Sequence, residues 1–245
     1  MDDQRARSFG ARAFDYAEHR PNYPADGVRW ALAAAARPVH DVLDLAAGTG
    51  KLAEGLLPLG LAVTAVEPDD DMRAELVGRF PGLTALAGTA EEIPLATGSV
   101  DAVLVGQAFH WFDPVPALTE IGRVLRPGGV LGALWNGEDK SLEWVAGLLE
   151  ASKTSVTDGY RGRLLLPEHP LFTPVEETAF PHTQRRTIGS LAEMLGTHSR
   201  MLVIPRAERD EALARIREYL ASRPETAGGE FDLPMVTKVL RATRR

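Results

Sequence analysis

The sequence predicts an α/β protein built on a doubly wound, mostly parallel sheet. Residues 42–45 form a short apolar run that breaks into a glycine-containing turn and then into a helical pattern from Lys51. This strand, turn and helix form the unit with which such a sheet begins. Further apolar strand patterns follow along the chain, several of them separated by amphipathic helices, which are the usual crossovers between parallel strands.

In the first half of the chain, turn residues mark the limits of the predicted elements. A helix with apolar residues at helical spacing is closed by Pro38, because proline cannot continue a helix. The fourth strand is entered through Gly98-Ser99, and Asp113-Pro114 begins the helix that follows it. The predicted elements are helix 25–37, strand 42–45, helix 51–58, strands 61–66, 83–87 and 100–105, and helix 114–125.

The second half continues the pattern after the turn Arg126-Pro-Gly-Gly, which leads into a fifth strand. Residues 158–173 read as a loop because of Pro167 and Pro170. The predicted elements are strand 130–134, helix 141–157, strand 175–184, helices 187–196 and 206–221, and strand 235–243. With no repeat or linker in the sequence, we expect one domain over residues 1–245, of which 25–135 form the cofactor-binding core and 136–245 the substrate side.

Composition limits the class of protein. A chain of 245 residues can bury a substantial core, and its net charge of −7 argues against a nucleic-acid partner. The absence of cysteine excludes disulfides and thiolate nucleophiles, and no His/Asp/Glu cluster has the spacing of a metal site. The polar residues 1–5 do not begin a signal peptide, and no apolar run has membrane-spanning length. We therefore expect a cytoplasmic enzyme with a small-molecule substrate and no membrane, nucleic-acid or metal partner; the oligomeric state stays open.

The turn after the first strand allows three interpretations. Gly48 and Gly50 permit a sharp turn and a close approach of the backbone to a ligand. Asp44, just before the turn, suits a cationic or amino-bearing ligand better than a pyrophosphate. The spacing Gly48-x-Gly50-x-x-Ala53, with Glu67 seventeen residues after Gly50, also fits a dinucleotide fingerprint. A purely structural glycine turn is the third interpretation.

The segment from Asp44 to Gly50 resembles the first motif of class I S-adenosylmethionine (SAM)-dependent methyltransferases of the branch called type 11. Three other stretches resemble the same family: residues 16–24 its opening, residues 90–94 its adenine-binding turn, and residues 107–113 its trans-aconitate methyltransferase-like members. The resemblance extends over about residues 10–135 and includes UbiE-like sequences. It implies a seven-stranded Rossmann-like sheet with an antiparallel edge strand, an N-terminal lid (residues 1–24) and helical cap elements.

The resemblance and the strand ends together define candidate binding residues. Glu67 ends the second strand, where an acid accepts hydrogen bonds from ribose hydroxyls; its alternative role is that of an acid at a helix start. The expected SAM-binding residues are Tyr16, Arg20, Asp44, Ala46, Gly48, Gly50, Glu67, Pro68, Met72, Thr89, Ala90, Glu91 and Gln107. The expected substrate-binding residues are Tyr23, Phe109, Trp111, Trp135, Asn136 and His198, and Arg200 is a further candidate for the pocket. The lid is expected to become ordered when the cofactor binds, through Tyr16 and Arg20.

Methyl transfer from a sulfonium is an in-line displacement, so the protein must mainly position the reactants. A general base is needed only when the acceptor is protonated. His110 is the candidate catalytic residue, as a base or as a hydrogen-bond donor to the acceptor; its alternative role is packing beneath the helix that begins at Pro114. We expect methyl transfer to an oxygen of a small molecule, a carboxylate being one form of it. The alternatives are C- or N-methylation in natural-product or quinone biosynthesis and, from another class, a non-catalytic cofactor-binding protein or an NAD-binding Rossmann protein.

Overall fold

The computed structural model describes residues 20–156 and 166–245, in which seven strands form one mixed sheet. In chain order they are β1 (Asp41–Leu45), β2 (Ala62–Val66), β3 (Thr84–Leu86), β4 (Val100–Gly106), β5 (Leu125–Glu138), β6 (Glu176–Arg186) and β7 (Phe231–Thr243). Their order across the sheet is β3-β2-β1-β4-β5-β7-β6. The first five strands are parallel, whereas β7 runs antiparallel to both β5 and β6. The predicted fold class is confirmed, and the antiparallel pairings at this end of the sheet are those of β7, which lies between β5 and the edge strand β6.

Helices cover both faces of this sheet. They are α1 (Ala25–Leu32), α2 (Lys51–Leu56), α3 (Asp70–Arg79), α4 (Pro114–Val124), α5 (Glu143–Ala151), α6 (Ile188–Gly196), α7 (Ser199–Leu202) and α8 (Arg206–Ala221). Buried residues of α1, α2 and α3 form one apolar core with the sheet, and those of α4 form another with the opposite face. A third core joins α5, α6, α7 and α8 to the first residues of β7. We call these four helices the helical cap.

Several predicted boundaries differ from the structure. β5 is much longer than the predicted 130–134, because its pairing with β7 continues as far as Glu138 and Met235. The helix predicted over 25–37 ends at Leu32, and the one predicted over 141–157 ends at Ala151. The four-residue α7 was not predicted, since one turn of helix is too short to show a periodic pattern. Within the described ranges, no helix has the length and apolar character needed to cross a membrane.

An ion-pair network fixes the edge of the sheet where the parallel strands begin. Arg126 Nη1 donates to Asp41 Oδ2 and to Asp101 Oδ1, each over 2.8 Å. Asp101 Oδ2 accepts the backbone N–H groups of His40 and Asp41, each at 3.0 Å. Burial alone raises the pKa of Asp101, but the Asp41 and His40 N–H groups and the Arg126 guanidinium outweigh it and lower the pKa to about 2. The network therefore joins β1, β4 and β5.

We predict that Asp101→Asn lowers the free energy of unfolding at pH 7 by about 1–3 kcal/mol, the value of hydrogen bonds that involve a charged group. Because the pKa of Asp101 is depressed in the folded state, its contribution is present above the unfolded-state pKa and is lost as the pH falls toward 2. Urea unfolding between pH 7 and pH 3 should thus show that the variant loses less unfolding free energy on acidification than the wild type does. Asp26→Asn, at a side chain that is 82% exposed, is the control. If the unfolding free energy of Asp101→Asn equalled that of the wild type at every pH, the prediction would be contradicted.

Candidate active site

A cavity of about 670 Å³ opens where the parallel strands end, the edge at which open α/β sheets bind ligands. Most residues predicted from the sequence lie in its wall. Those predicted for the cofactor are Arg20, Ala46, Gly48, Glu67, Pro68, Met72, Thr89, Ala90, Glu91 and Gln107. Those predicted for the substrate or catalysis are His110, Trp111, Trp135, Asn136 and His198. The structure thus brings both groups to one cavity.

Four predicted site residues lie outside the cavity wall. Asp44 is only 1% exposed and lies beneath the turn, where its Oδ2 accepts the Ala53 N–H (3.0 Å). Gly50 packs against α3, and Phe109 is buried in the core beside Phe112 because the 3₁₀ turn Phe109–Trp111 directs it inward. Tyr23 covers the end of β4: a Cβ added to Gly106 would lie 2.5 Å from its Oη. Tyr16, with nearly all of the predicted lid, falls outside the described residues.

The turn after β1 presents open backbone to the cavity. Ala46 has a φ of 56° and Gly48 a φ of 55°. This left-handed conformation is open to glycine, whereas L-residues such as Ala46 rarely adopt it and do so more often at functional sites. A Cβ added to Gly48 would have no atom within 4 Å, so the space beside this glycine is available to a ligand. Gln107, after β4, has a φ of 57° and also lines the cavity. Two neighbouring strands therefore end in the same strained geometry at the same edge.

Glu67 joins two segments of the cavity wall. Its Oε2 accepts the Gly48 N–H (2.8 Å) and its Oε1 accepts the Asp69 N–H (2.9 Å). The side chain is nearly buried, and this burial raises the pKa of the carboxyl despite the two N–H bonds that lower it. Each carboxylate oxygen has a second lone pair, so Glu67 can hold the turn and also accept hydroxyl groups of a ligand.

The loop after β3 is held by an ion pair on α4. Arg123 donates to the carbonyl oxygens of Ile93 and Leu95, each over 2.8 Å, and is paired with Glu120 at 2.7 Å. Glu120 in turn accepts the Ile93 N–H. These bonds fix the loop that carries Ala90, which is buried and contributes to the cavity wall.

Asn136 connects the end of β5 to the N-terminal segment. Its Nδ2 donates to the carbonyl oxygens of Pro21 (3.3 Å) and Asn22 (3.2 Å). Thr237 on β7 donates to its Oδ1, and Gln107 Nε2 donates to its backbone oxygen (2.9 Å). The segment that follows Arg20 is therefore anchored against the cavity by backbone as well as side-chain groups.

His110 and Trp135 contact each other in the cavity wall. The indole Nε1 of Trp135 donates to His110 Nδ1 over 3.4 Å, a long bond that nevertheless has a defined direction because an indole nitrogen can only donate. The His110 ring also lies 4.8 Å from the ring of Trp111, centroid to centroid. The imidazole is thus oriented by both of its aromatic neighbours.

Sequence reasoning missed the part of the wall that comes from the end of β5 and from α5: Glu138, Lys140, Ala146, Leu149 and Glu150. The helix was predicted over 141–157, but nothing in the sequence showed which of its residues face the cavity. No group of three or more potential metal ligands occurs among the residues that the structure describes.

Comparisons with known proteins agree with this geometry. The family model described as "Methyltransferase domain" matches residues 43–133, from β1 into β5. An uncharacterized methyltransferase of Mycobacterium tuberculosis is 44% identical over 237 residues, which cover 96% of this chain and 95% of that protein. An uncharacterized methyltransferase of Schizosaccharomyces pombe is 31% identical over 224 residues, 89% of each chain.

A solved structure, assigned as a type II methyltransferase of Anaeromyxobacter dehalogenans, matches with a TM-score of 0.68 and 27% identity over 92% of this chain and 97% of that one. The full-length relatives, the matched domain and this structural match all point to one family. The chain belongs to the class I SAM-dependent methyltransferases, and its cofactor is SAM.

Proposed function

We propose that this enzyme transfers the methyl group of SAM to an oxygen of a small molecule and that the oxygen belongs to a carboxylate. The observation that supports this proposal is the hydrogen bond from Trp135 Nε1 to His110 Nδ1 in the cavity wall. It favours one tautomer of the neutral imidazole, and with it the role of His110 as a hydrogen-bond donor to the acceptor over its role as a base.

The tautomer of His110 follows from the fact that Trp135 is the donor in this hydrogen bond. Since the indole N–H can only donate, Nδ1 of His110 must accept, and the neutral ring then carries its proton on Nε2. The lone pair that a general base would use is engaged by Trp135. His110 is therefore arranged to donate a hydrogen bond from Nε2 to an acceptor, and not to remove a proton from it.

An enzyme without a base requires an acceptor that is already nucleophilic at neutral pH. A carboxylic acid, with an ordinary pKa of about 4, is fully ionised there, whereas a phenol, with a pKa of about 10, is not. A hydrogen bond from His110 to one carboxylate oxygen would orient the other toward the methyl group. Such positioning is the main contribution that this displacement asks of the protein.

The residues in the wall fit SAM. Gly48 leaves a space that a Cβ would occupy, and Glu67 directs carboxylate oxygens into the cavity where ribose hydroxyls would bind. Ala90 provides a small surface for the adenine, and Arg20, with Tyr16 before it, is the candidate partner of the cofactor carboxylate. When bound, SAM supplies a methyl group activated by its sulfonium. In this assignment residues 25–135 form the cofactor-binding core, which also supplies His110 to the acceptor, and residues 136–245 form the substrate side.

The test compares two substitutions of His110. A Gln side chain retains an N–H donor and an Ala side chain does not, so we expect His110→Ala to reduce kcat by about 10- to 100-fold and His110→Gln to reduce it clearly less. Acceptors are first identified from a panel of small acids, phenols and amines with labelled SAM. With an acid as acceptor, kcat at saturating SAM should not rise between pH 6 and pH 9.

Two kinds of result would contradict this proposal. Labelling of phenols or amines alone, with a rate that rises with pH, would contradict carboxylate methylation. Equal loss of activity in His110→Ala and His110→Gln would contradict the donor role. Val115→Ala, at a 66% exposed position at the start of α4, is the control for nonspecific effects near this turn.

A further inference from the structure

Two guanidinium groups flank an imidazole in the cavity wall formed by the helical cap. Arg20, His198 and Arg200 all line the cavity. Arg20 Nη2 donates to the Thr197 carbonyl oxygen over 3.0 Å, which holds it beside His198. Arg200 Nη2 donates to Ser152 Oγ, at the end of α5, over 2.9 Å. Cations from the N-terminal segment and from α7 thus meet at His198.

Both anchoring oxygens lie inside the protein. Ser152 is fully buried and Thr197 is 4% exposed, so each guanidinium is bound to a fixed point. A guanidinium has five N–H donors in a rigid fork, and a bond that anchors one of them is compatible with a bond from the others to a ligand. Arg200 is therefore placed in advance of binding, which reduces the entropy that binding would cost.

His198 contributes a neutral donor to this group. Burial of the imidazole lowers its pKa well below the ordinary value, and the charges of Arg20 and Arg200 lower it further. It therefore stays uncharged at neutral pH and keeps one N–H. Of the two acids that line this side of the cavity, Glu150 is 69% exposed and lies 2.5 Å from Lys153 Nζ. Glu138 is the last residue of β5 and precedes Lys140, another cation in the wall, by two positions.

A carboxylate is the ligand that this arrangement suits. It accepts two parallel bonds from an arginine fork, and such charge-assisted bonds are roughly twice as strong as neutral ones. A carboxylate held in this way has its charge stabilised and is a poor nucleophile. The group bound by Arg200 is therefore a different group from the one that receives the methyl group beside His110.

We infer that His198 and Arg200 form a subsite for a second carboxylate of the acceptor, which makes the acceptor a dicarboxylate. This inference rests on the proposed carboxylate methylation and narrows its substrate class. The cofactor residues lie mostly at the ends of β1, β2 and β4 and in the loop after β3, whereas this subsite belongs to the helical cap. Arg20, between the two regions, remains the candidate partner of the cofactor carboxylate.

The test measures binding apart from turnover. Succinate and butyrate differ by one carboxylate at the same chain length, and each is titrated calorimetrically into the S-adenosylhomocysteine complex of the full chain. We expect succinate to bind the wild type at least about 10-fold more tightly than butyrate does. Arg200→Gln should remove about 10-fold of succinate affinity and leave butyrate affinity unchanged. Arg206→Gln, at an 86% exposed arginine on α8, is the matched control and should bind as the wild type does.

Three outcomes would overturn the inference. The wild type could bind succinate and butyrate equally, or Arg200→Gln could bind succinate as tightly as the wild type does. Arg200→Gln could also lose affinity for S-adenosylhomocysteine, which would assign Arg200 to the cofactor. Arg200→Lys keeps the charge without the fork and should recover part of the succinate affinity. Because these titrations need no methyl transfer, they stand apart from the acceptor panel. Failure of that panel with intact succinate selectivity would reject carboxylate methylation but leave the anion subsite in place.

Discussion

Gly50→Ala should destabilise the protein strongly, whereas Gly48→Ala should mainly weaken cofactor binding. Both glycines have a positive φ, 85° for Gly50 and 55° for Gly48, and alanine in this conformation costs about 1–2 kcal/mol. At Gly50 an added Cβ would also lie 2.4 Å from Leu76 Cδ1 and 2.8 Å from Phe80 Cε2. Leu76 is fully buried and cannot move aside, so overpacking adds about 1–3 kcal/mol.

The two variants should therefore show opposite signatures. Gly50→Ala is expected to lose roughly 2–5 kcal/mol of unfolding free energy in urea titrations. Gly48→Ala should lose only the conformational part, but its methyl group would project into the cavity, and SAM affinity should fall by at least about 10-fold, or ~1.4 kcal/mol. Gly60→Ala, at an exposed glycine with a φ of 73° and no atom within 4 Å, reports the conformational cost alone. Gly48→Ala with unchanged SAM affinity would mean that the cofactor does not approach this turn.

The same pair of glycines shows what the sequence could and could not predict. The strand, the turn and the helix were readable because an apolar run, small residues and a helical period follow each other without interruption. Both glycines were assigned to the cofactor, yet only Gly48 faces the cavity; Gly50 is needed for its contact with α3. That contact joins residues 26 positions apart, and local sequence carries no signal for it.

Long-range packing limited the other predictions in the same way. Glu67 could be placed in the site because it ends a strand, a position that topology directs to the ligand edge. Ala90 was placed there because residues 90–94 resemble the adenine-binding turn of the family. Phe109 was expected to contact substrate because it precedes His110, but the 3₁₀ turn directs it into the core. Glu150 reaches the cavity only because α5 packs with the rest of the helical cap against β7. The length of β5 likewise depends on its pairing with β7, more than 90 residues later.

Asp44 shows most clearly how burial changes the meaning of a recognised residue. Its Oδ2 accepts the Ala53 N–H, whereas its Oδ1 is buried with no hydrogen-bond partner within the described part of the chain. Burial raises the pKa of this carboxyl to about 7, the Ala53 N–H lowers it in part, and the nearby Glu67 raises it again. Asp44 thus holds the turn from below, close to the position where a cationic cofactor would bind.

The raised pKa determines how stability depends on pH. Because the folded state binds the Asp44 proton more tightly than the unfolded state, its contribution is fully present below about pH 4 and is lost as the pH rises through about 7. Each unit of pKa shift corresponds to about 1.4 kcal/mol, so ionising Asp44 costs the cofactor-free protein several kcal/mol. Glu67, whose pKa is also raised by burial, acts in the same direction.

We therefore predict that Asp44→Asn is more stable than the cofactor-free wild type at pH 8 but not at pH 5, since an amide oxygen still accepts the Ala53 N–H and no charge is buried. The wild type should lose unfolding free energy between pH 5 and pH 8 in urea titrations, and the variant should lose clearly less. Asp101→Asn is the matched control: the pKa of Asp101 lies below pH 5 both in the unfolded chain and, at about 2, in the folded protein, so over this pH range the curve of unfolding free energy for this variant should run parallel to that of the wild type. The negative charge that destabilises the cofactor-free protein should stabilise a bound sulfonium, so the affinity of the wild type for SAM should increase as the pH rises. Its affinity for S-adenosylhomocysteine, which has no sulfonium, should depend less on pH. In Asp44→Asn the affinity for either ligand should not change with pH in this way. A wild type of constant stability from pH 5 to pH 8, or a variant whose curve runs parallel to it, would show that Asp44 does not titrate in this range.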